Sequence, residues 1–366
     1  MKKPTYWDYL KLPSLLTLQG GLEEDEARLQ PDELHFIVVH QVYELWFKLV
    51  LRELRLAIEH LSRPRVPEET IPYVVHHLKR VNEILKLAVD QFRIVETLTP
   101  QDFLDFRDKL APSSGFQSFQ MREIEILLGL EDGARARYGA TEALSHIREA
   151  SADSPGGDFA LEHVEAARKE TTLRQALHAW LYRTPIQGSS AGDAGDGEAV
   201  SRFLASYFDA AQKHAAAQQA WLPERLGAEA GAVAARLNDG LASARLFLEA
   251  GDAPEAERDT ARRVRAGLLF IESYRELPLL AWPRLLVDSI VELEEYLVLW
   301  RTRHARMVER TIGRRPGTGG SSGVDYLDQT AKTRIFTELW AVRTLLLPRE
   351  FLPALENTQS YGFAKA

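Results

Sequence analysis

Cysteine is absent from the 366 residues, and that absence excludes several chemistries at once. Without a thiol there is no disulfide framework, no Cys-containing zinc site, no thiolate nucleophile, no Cys-ligated iron–sulfur cluster, and neither covalent c-type nor thiolate-ligated haem. Any bound iron must rely on histidine or carboxylates. Excess positive charge is missing too: 45 Lys and Arg against 53 Asp and Glu leave a net charge of −8. Neither a nucleic acid nor an anionic membrane is therefore an expected partner. No uncharged apolar run reaches about 18 residues, so no bilayer span is expected. The two lysines of "MKKPTYWDYLKL" are not followed by the apolar core of a secretion signal. A cytoplasmic protein is expected.

Strand-like alternation is scarce, whereas apolar residues recur at helical spacing in several long stretches. The chain reads as all-α. Asp32 after Pro31 caps a helix expected to run to about Ser62, where Pro64 and Pro67 stop it. Pro72 opens a second helix, Thr99 and Pro100 mark the next boundary, and "FQMREIEILLGL" follows the turn "APSSG" as a fourth. The middle differs: "SADSPGGD" and "GSSAGDAGDGEAV" read as flexible, and residues 210–266 as alanine-rich helix. The expected organisation is one domain over 1–366 with a peripheral helical insertion at about 186–265. From Pro283 a long helix runs to a stop at Gly313, then come the glycine-dense "RRPGTGGSSG" and a last helix around "TRIFTELWAVRTLLL".

Four features could carry chemistry. In "HFIVVHQVYELWFKLVLREL" His40, Glu44 and Lys48 form a polar stripe at i, i+4 spacing on an otherwise apolar helix. Such a stripe is either a satisfied core histidine with a Glu44–Lys48 ion pair or part of a site. His304 lies on an apolar face with Leu293, Leu297 and Trp300, flanked by Arg301, Arg303, Arg306 and Arg310. Dry packing of this kind suits a histidine ligand to haem iron, with arginines for the propionates, and it equally suits a core histidine. Metal signatures of the His-Glu-x-x-His and bundle di-iron kinds are missing. "GTGGSSG" could hold an anionic group through converging N–H groups and the hydroxyl of Thr318, or be a connector. Arg107, with Phe103 one turn before it, has the geometry of a carboxylate grip beside aromatic rings; the alternative is a surface arginine paired with Asp105 or Asp108.

Together the segments "YWDYLKL", "DELHFIVVHQVYELWFKLVLREL", "VETLTPQDFLDFRDKLAPSSGFQSFQMREIEILLG" and "LWRTRHARMVERTIGRRPGTGGSSGVDYL" resemble the tryptophan 2,3-dioxygenase family, haem enzymes that open the indole ring. They cover about a quarter of the chain, in family order. The resemblance implies an all-α helical bundle of the tryptophan/indoleamine 2,3-dioxygenase type that binds haem b, active as Fe2+. It implies His304 as the axial ligand, His40 as the distal histidine that meets the indole N–H, and Arg107 as the grip on the substrate carboxylate. It further implies Phe103 as an aromatic wall, Thr318 as a contact to the amino-acid tail, and Phe36, Leu110 and Ser114 as pocket lining. Tyr6, Tyr9 and Leu10 match a segment that in the family reaches the neighbouring subunit's site, which implies a homotetramer. The reaction so implied joins O2 to an indole, most simply L-tryptophan to N-formylkynurenine; oxygenation of another substituted indole, or haem binding without turnover, are the rival readings. The chain departs from the family pattern at Trp7, Pro13 and His35.

Overall fold

A computed structural model describes residues 3–131, 133, 147–148, 155–318 and 323–362 of the chain. Among them the α-helices, in order, are α1 (Tyr6–Leu10), α2 (Leu12–Leu15), α3 (Glu33–Leu61), α4 (Ile71–Val95), α5 (Pro100–Arg107), α6 (Phe119–Leu128) and α7 (Pro155–Ala167). There follow α8 (Leu173–Arg183), α9 (Asp196–Leu226), α10 (Ala230–Leu248), α11 (Arg258–Ser273), α12 (Ala281–Ile312), α13 (Val324–Lys332) and α14 (Thr337–Leu345). The described β-structure is a single isolated bridge between Ile186 and Ser189. The all-α reading therefore stands.

The chain divides into two compact units. The first comprises Met1–Leu56, His77–Thr172 and Glu292–Ile335, and the second comprises Ala57–His76, Leu173–Val291 and Phe336–Ala366. In the first, Val50, Leu54, Leu78, Leu85, Phe92, Leu127 and Leu293 are fully withdrawn from water or nearly so, and burying each such side chain stabilises by about 1.5–3 kcal/mol. Buried charge here is paired: Arg55 bridges Glu123 and Glu170 at 2.8 Å each, and Glu53 holds His77 at 2.6 Å and Arg80 at 2.8 Å. In the second, α8 packs on α11, α9 folds back on α10, and Phe203, Tyr207, Phe270 and Phe336 fill the core.

Helix ends follow local chemistry. Thr99 caps α5, its hydroxyl accepting from the Asp102 N–H at 3.2 Å, with Pro100 opening the helix. Ser118 does the same for α6 through the Met121 N–H at 3.3 Å, and Gly129 closes that helix in the left-handed region. Gly313, at φ +61°, ends α12 as expected. Gly323, at φ +63°, is forced to be glycine twice over: a Cβ there would also sit 2.8 Å from the Arg315 carbonyl oxygen.

Several expectations are corrected. The segment 188–200, read as flexible, contains the start of α9, whose first turn carries Asp196 and Glu198 in the place where the helix dipole favours acids. The alanine-rich stretch 210–266 is helical as expected, in three pieces separated at Gly227 and over 249–257. Of "SADSPGGD", residues 151–154 lie outside the described residues, and the remainder opens α7. Pro13, one of the departures from the family pattern, sits in the first turn of α2, where its missing N–H costs nothing. Helix α13 was not anticipated. The absence of a bilayer-length run holds for uncharged stretches alone: α3 includes an 18-residue window of mean hydropathy 1.3 with at most two charged residues, long and apolar enough by those measures. Val50, Leu51 and Leu54 of that helix are packed inside protein.

Candidate active site

Within the first unit α3, α4, α5, α6, α12 and the loop after α12 line one cavity of about 260 Å³. Phe36, His40, Phe103, Arg107, Ser114, His304 and Thr318 all line it. The structure thus gathers residues spread over nearly 300 positions of sequence into one wall. Leu110 is adjacent: it packs with Phe36 and Ile312 on the cluster of Leu98, Phe103 and Phe106. Tyr6, Tyr9 and Leu10 are not brought to this cavity; they stand exposed on α1, Tyr9 the most at 80%.

The helical repeat of α12 places Trp300 and His304 one turn apart on the same face. The His304 ring lies against Trp300 at 5.2 Å between centroids and stacks on Phe92 at 5.9 Å and 19°. Among the described residues it makes no hydrogen bond. Surrounding protein pushes its pKa down to about 4, with smaller contributions from His40 and Arg122, so it is neutral at pH 7 and its lone pair is available. The ring is half-buried rather than sealed because the cavity itself reaches it.

His40 is held differently. Its Nδ1 lies 2.7 Å from the Phe36 carbonyl oxygen, an atom that can only accept, so Nδ1 carries the proton and Nε2 has the lone pair. Burial lowers its pKa, opposed by the Phe36 carbonyl and Glu44, and the neutral form results. Phe36 lies 4.1 Å from the His40 ring, 5.9 Å from Phe103 and 5.6 Å from Phe106, a tilted aromatic group of the favoured geometry. Glu44 is not paired with Lys48; it accepts from Gln120 Nε2 at 2.8 Å and faces the cavity. The ion pair expected on that stripe is therefore absent among the described residues.

Arg107 is not paired with Asp105 or Asp108. Its NH2 donates to the Pro316 carbonyl at 2.6 Å, which ties α5 to the loop after α12, while among the described residues its buried Nε has no partner. Thr318 donates its hydroxyl to the Ser113 carbonyl at 2.6 Å. Ser321 and Ser322 of the same loop lie outside the described residues.

Sequence reasoning missed Arg122 and Glu125 of α6. Glu125 lies 2.9 Å from Arg122 and 2.8 Å from Arg301, and all three line the cavity. Two guanidiniums share this one carboxylate, and with Arg107 and Glu44 the cavity carries three guanidiniums against two carboxylates; among the described residues Arg122 Nε and Trp300 Nε1 are buried without partners. The signal available was a charged i, i+3 pair inside "FQMREIEILLGL". Of the arginines expected near His304, Arg303 is taken by Glu96 at 2.7 Å and Arg306 by Asp328 and Glu309. Among the described residues no group of three or more metal-ligating side chains occurs. Two neutral imidazoles, of which His304 makes no hydrogen bond among the described residues, together with apolar and aromatic walls and more guanidiniums than carboxylates, fit a flat, mostly apolar cofactor that takes a histidine nitrogen and bears carboxylates, as haem does.

A family model described as "Tryptophan 2,3-dioxygenase" matches residues 1–346. The chain is similar to "Tryptophan 2,3-dioxygenase 2" of Ralstonia nicotianae, at 48% identity over 374 residues that span 100% of this chain and 99% of the relative. It is similar to "Tryptophan 2,3-dioxygenase" of Sorangium cellulosum at 46% identity, over 99% of this chain and 88% of the relative. A shorter "Tryptophan 2,3-dioxygenase-like protein" of Xanthomonas campestris pv. campestris is 48% identical over 73% of this chain.

Proposed function

Because the chain belongs to the tryptophan 2,3-dioxygenase family, we propose that it opens the indole C2–C3 bond of L-tryptophan with O2, both oxygen atoms entering the N-formylkynurenine product. The observation that carries this is the single cavity that His40, Arg107, His304 and Thr318 share. Haem b in its ferrous state supplies the activation of O2 that no side chain can. His304 would hold its iron, and Arg122 and Arg301, which share the one carboxylate of Glu125, would meet its carboxylates.

The remaining residues bind and orient. His40 Nε2 accepts the indole N–H and so fixes which edge of the ring faces the reacting oxygen. It acts as an acceptor and not as a strong base, since an indole nitrogen is a very weak acid. Arg107 receives the substrate carboxylate on the side of its fork that Pro316 leaves open. Thr318 has already spent its proton on the Ser113 carbonyl, so its oxygen accepts from the substrate ammonium. Phe36, Phe103, Leu110 and the backbone around Ser114 form the apolar wall that excludes water from the ring.

The exposed Tyr6, Tyr9 and Leu10 support a homotetramer in which each α1 completes a neighbour's pocket, and a cysteine-free chain of this kind suits the cytoplasm. Residues 186–265 belong to the second unit and carry none of the proposed contacts. Mass spectrometry of the haem-loaded, reduced protein turning over L-tryptophan under isotopically labelled O2 tests the proposal. Two labelled oxygens in the product are expected. One labelled oxygen would make the reaction a mono-oxygenation, and no product would leave a haem-binding protein without turnover.

A further inference from the structure

Lys109 follows Arg107 by two residues, in the tight turn Asp108–Leu110 that ends α5. Its ammonium lies 2.5 Å from Glu33 Oε2 and 3.1 Å from Glu23 Oε1. Glu33 is in the first turn of α3 and only 3% exposed. Its other contact is the Gln30 N–H at 3.1 Å, to the same oxygen. Along α3, Glu33, Phe36 and His40 stand at i, i+3 and i+7, hence on one face. Lys109 therefore joins the turn that carries the carboxylate grip to the helix that carries the indole contact. Phe36 also packs on Phe103 and Phe106, but apolar contact is non-directional and tolerates sliding. A charge-assisted hydrogen bond does not.

We propose that Lys109 is a positioning residue that sets the separation between Arg107 and His40, and thereby the preference for an indole that bears an amino-acid tail. The inference rests on the reading of Arg107 and His40 as substrate contacts given above. The length of the site is set from outside the cavity: Lys109 is not among the residues that line it. Replacing the ammonium by a neutral chain frees the turn and leaves Glu33 with one backbone N–H. The two ends of the substrate can then no longer be satisfied together, whereas a ligand that uses the His40 end alone is indifferent.

The test compares Lys109→Met and Lys109→Arg with the wild type, as haem-loaded protein. The readouts are binding of L-tryptophan and of free indole by ligand-induced thermal shift, and KM and kcat for L-tryptophan. Lys109→Met should weaken L-tryptophan binding and raise KM by about tenfold, with free indole binding and kcat changed by less than about threefold; Lys109→Arg should restore most of the loss. Should Lys109→Met fold poorly, Glu23→Gln, which removes one of the two carboxylates, should give a smaller shift in the same direction. Equal losses for both ligands would make Lys109 a purely structural residue, and unchanged L-tryptophan binding would remove it from the site; either result overturns the proposal. A wild type with no preference for L-tryptophan over free indole would instead overturn the reading of Arg107, and the proposal with it.

Discussion

Arg263 of the second unit is buried and Arg107 of the first half-buried, and the fold treats them differently. Arg263 is 6% exposed and ends on Asp196 at 2.9 Å, with the Thr184 carbonyl at 3.2 Å. Its neighbours follow the same rule: Arg284 meets Glu272 and Asp288 at 2.9 Å each, and Arg343 meets Asp288 at 2.6 Å. Arg107 meets a carbonyl and, among the described residues, no carboxylate. Around the same cavity Arg122 and Arg301 divide one Glu125 between them, and two imidazoles are kept neutral by burial. An isolated buried charge costs several kcal/mol unless something meets it. In the second unit the protein supplies the partner, and at the cavity the partner is left to a ligand.

The contrast can be broken at either end. The largest effect is expected from His304→Ala: haem affinity, read by titration of the Soret band, should fall by more than roughly 100-fold, beyond what the loss of an outer partner costs. Retention of the band would mean that the iron is held elsewhere. In the second unit, Arg263→Leu leaves Asp196 buried and uncompensated and should cost about 3–5 kcal/mol in urea unfolding, while haem titration stays unchanged. A fall in haem affinity there would erase the distinction between the two regions.

The next effect is pH-dependent. His304 has a pKa of about 4 in the fold against an ordinary 6.5. Above pH 6.5 it is neutral in both the folded and the unfolded chain and contributes no slope. As pH falls from 6.5 to 4 the unfolded chain takes up a proton that the folded one refuses, so stability drops by about 3 kcal/mol across that window from this residue. His40 moves in the same direction. Denaturation of the haem-free protein between pH 7 and pH 4 checks this, and His304→Leu should flatten the curve.

Much of this was legible in the residues. Asp32, Thr99–Pro100 and Gly313 punctuate helices in the places where the chain makes its turns, because capping and φ preferences are local. His40 and His304 stood out as imidazoles on apolar faces for the same reason. The arginine pattern was not legible. Arg301, Arg303 and Arg306 lie within two turns of α12, yet one faces the cavity and the others meet Glu96, Glu309 and Asp328. Glu96 and Glu125 lie more than a hundred residues before α12, whereas Glu309 and Asp328 lie close in sequence to Arg306. Lys109 finds Glu23 and Glu33 on other elements, Glu125 showed in the sequence only its spacing to Arg122, and the Glu44–Lys48 spacing suggested a pair that Gln120 pre-empts.

The measurement that bears most directly on the cavity as a two-ended site is kcat/KM of Arg107→Ala for L-tryptophan and for free indole. Loss of one charge-assisted contact, about 1.5–3 kcal/mol, should lower the value for L-tryptophan roughly 10- to 150-fold and leave free indole within about threefold. Equal losses for the two substrates, or none for L-tryptophan, would contradict the assignment of Arg107 to the amino-acid tail.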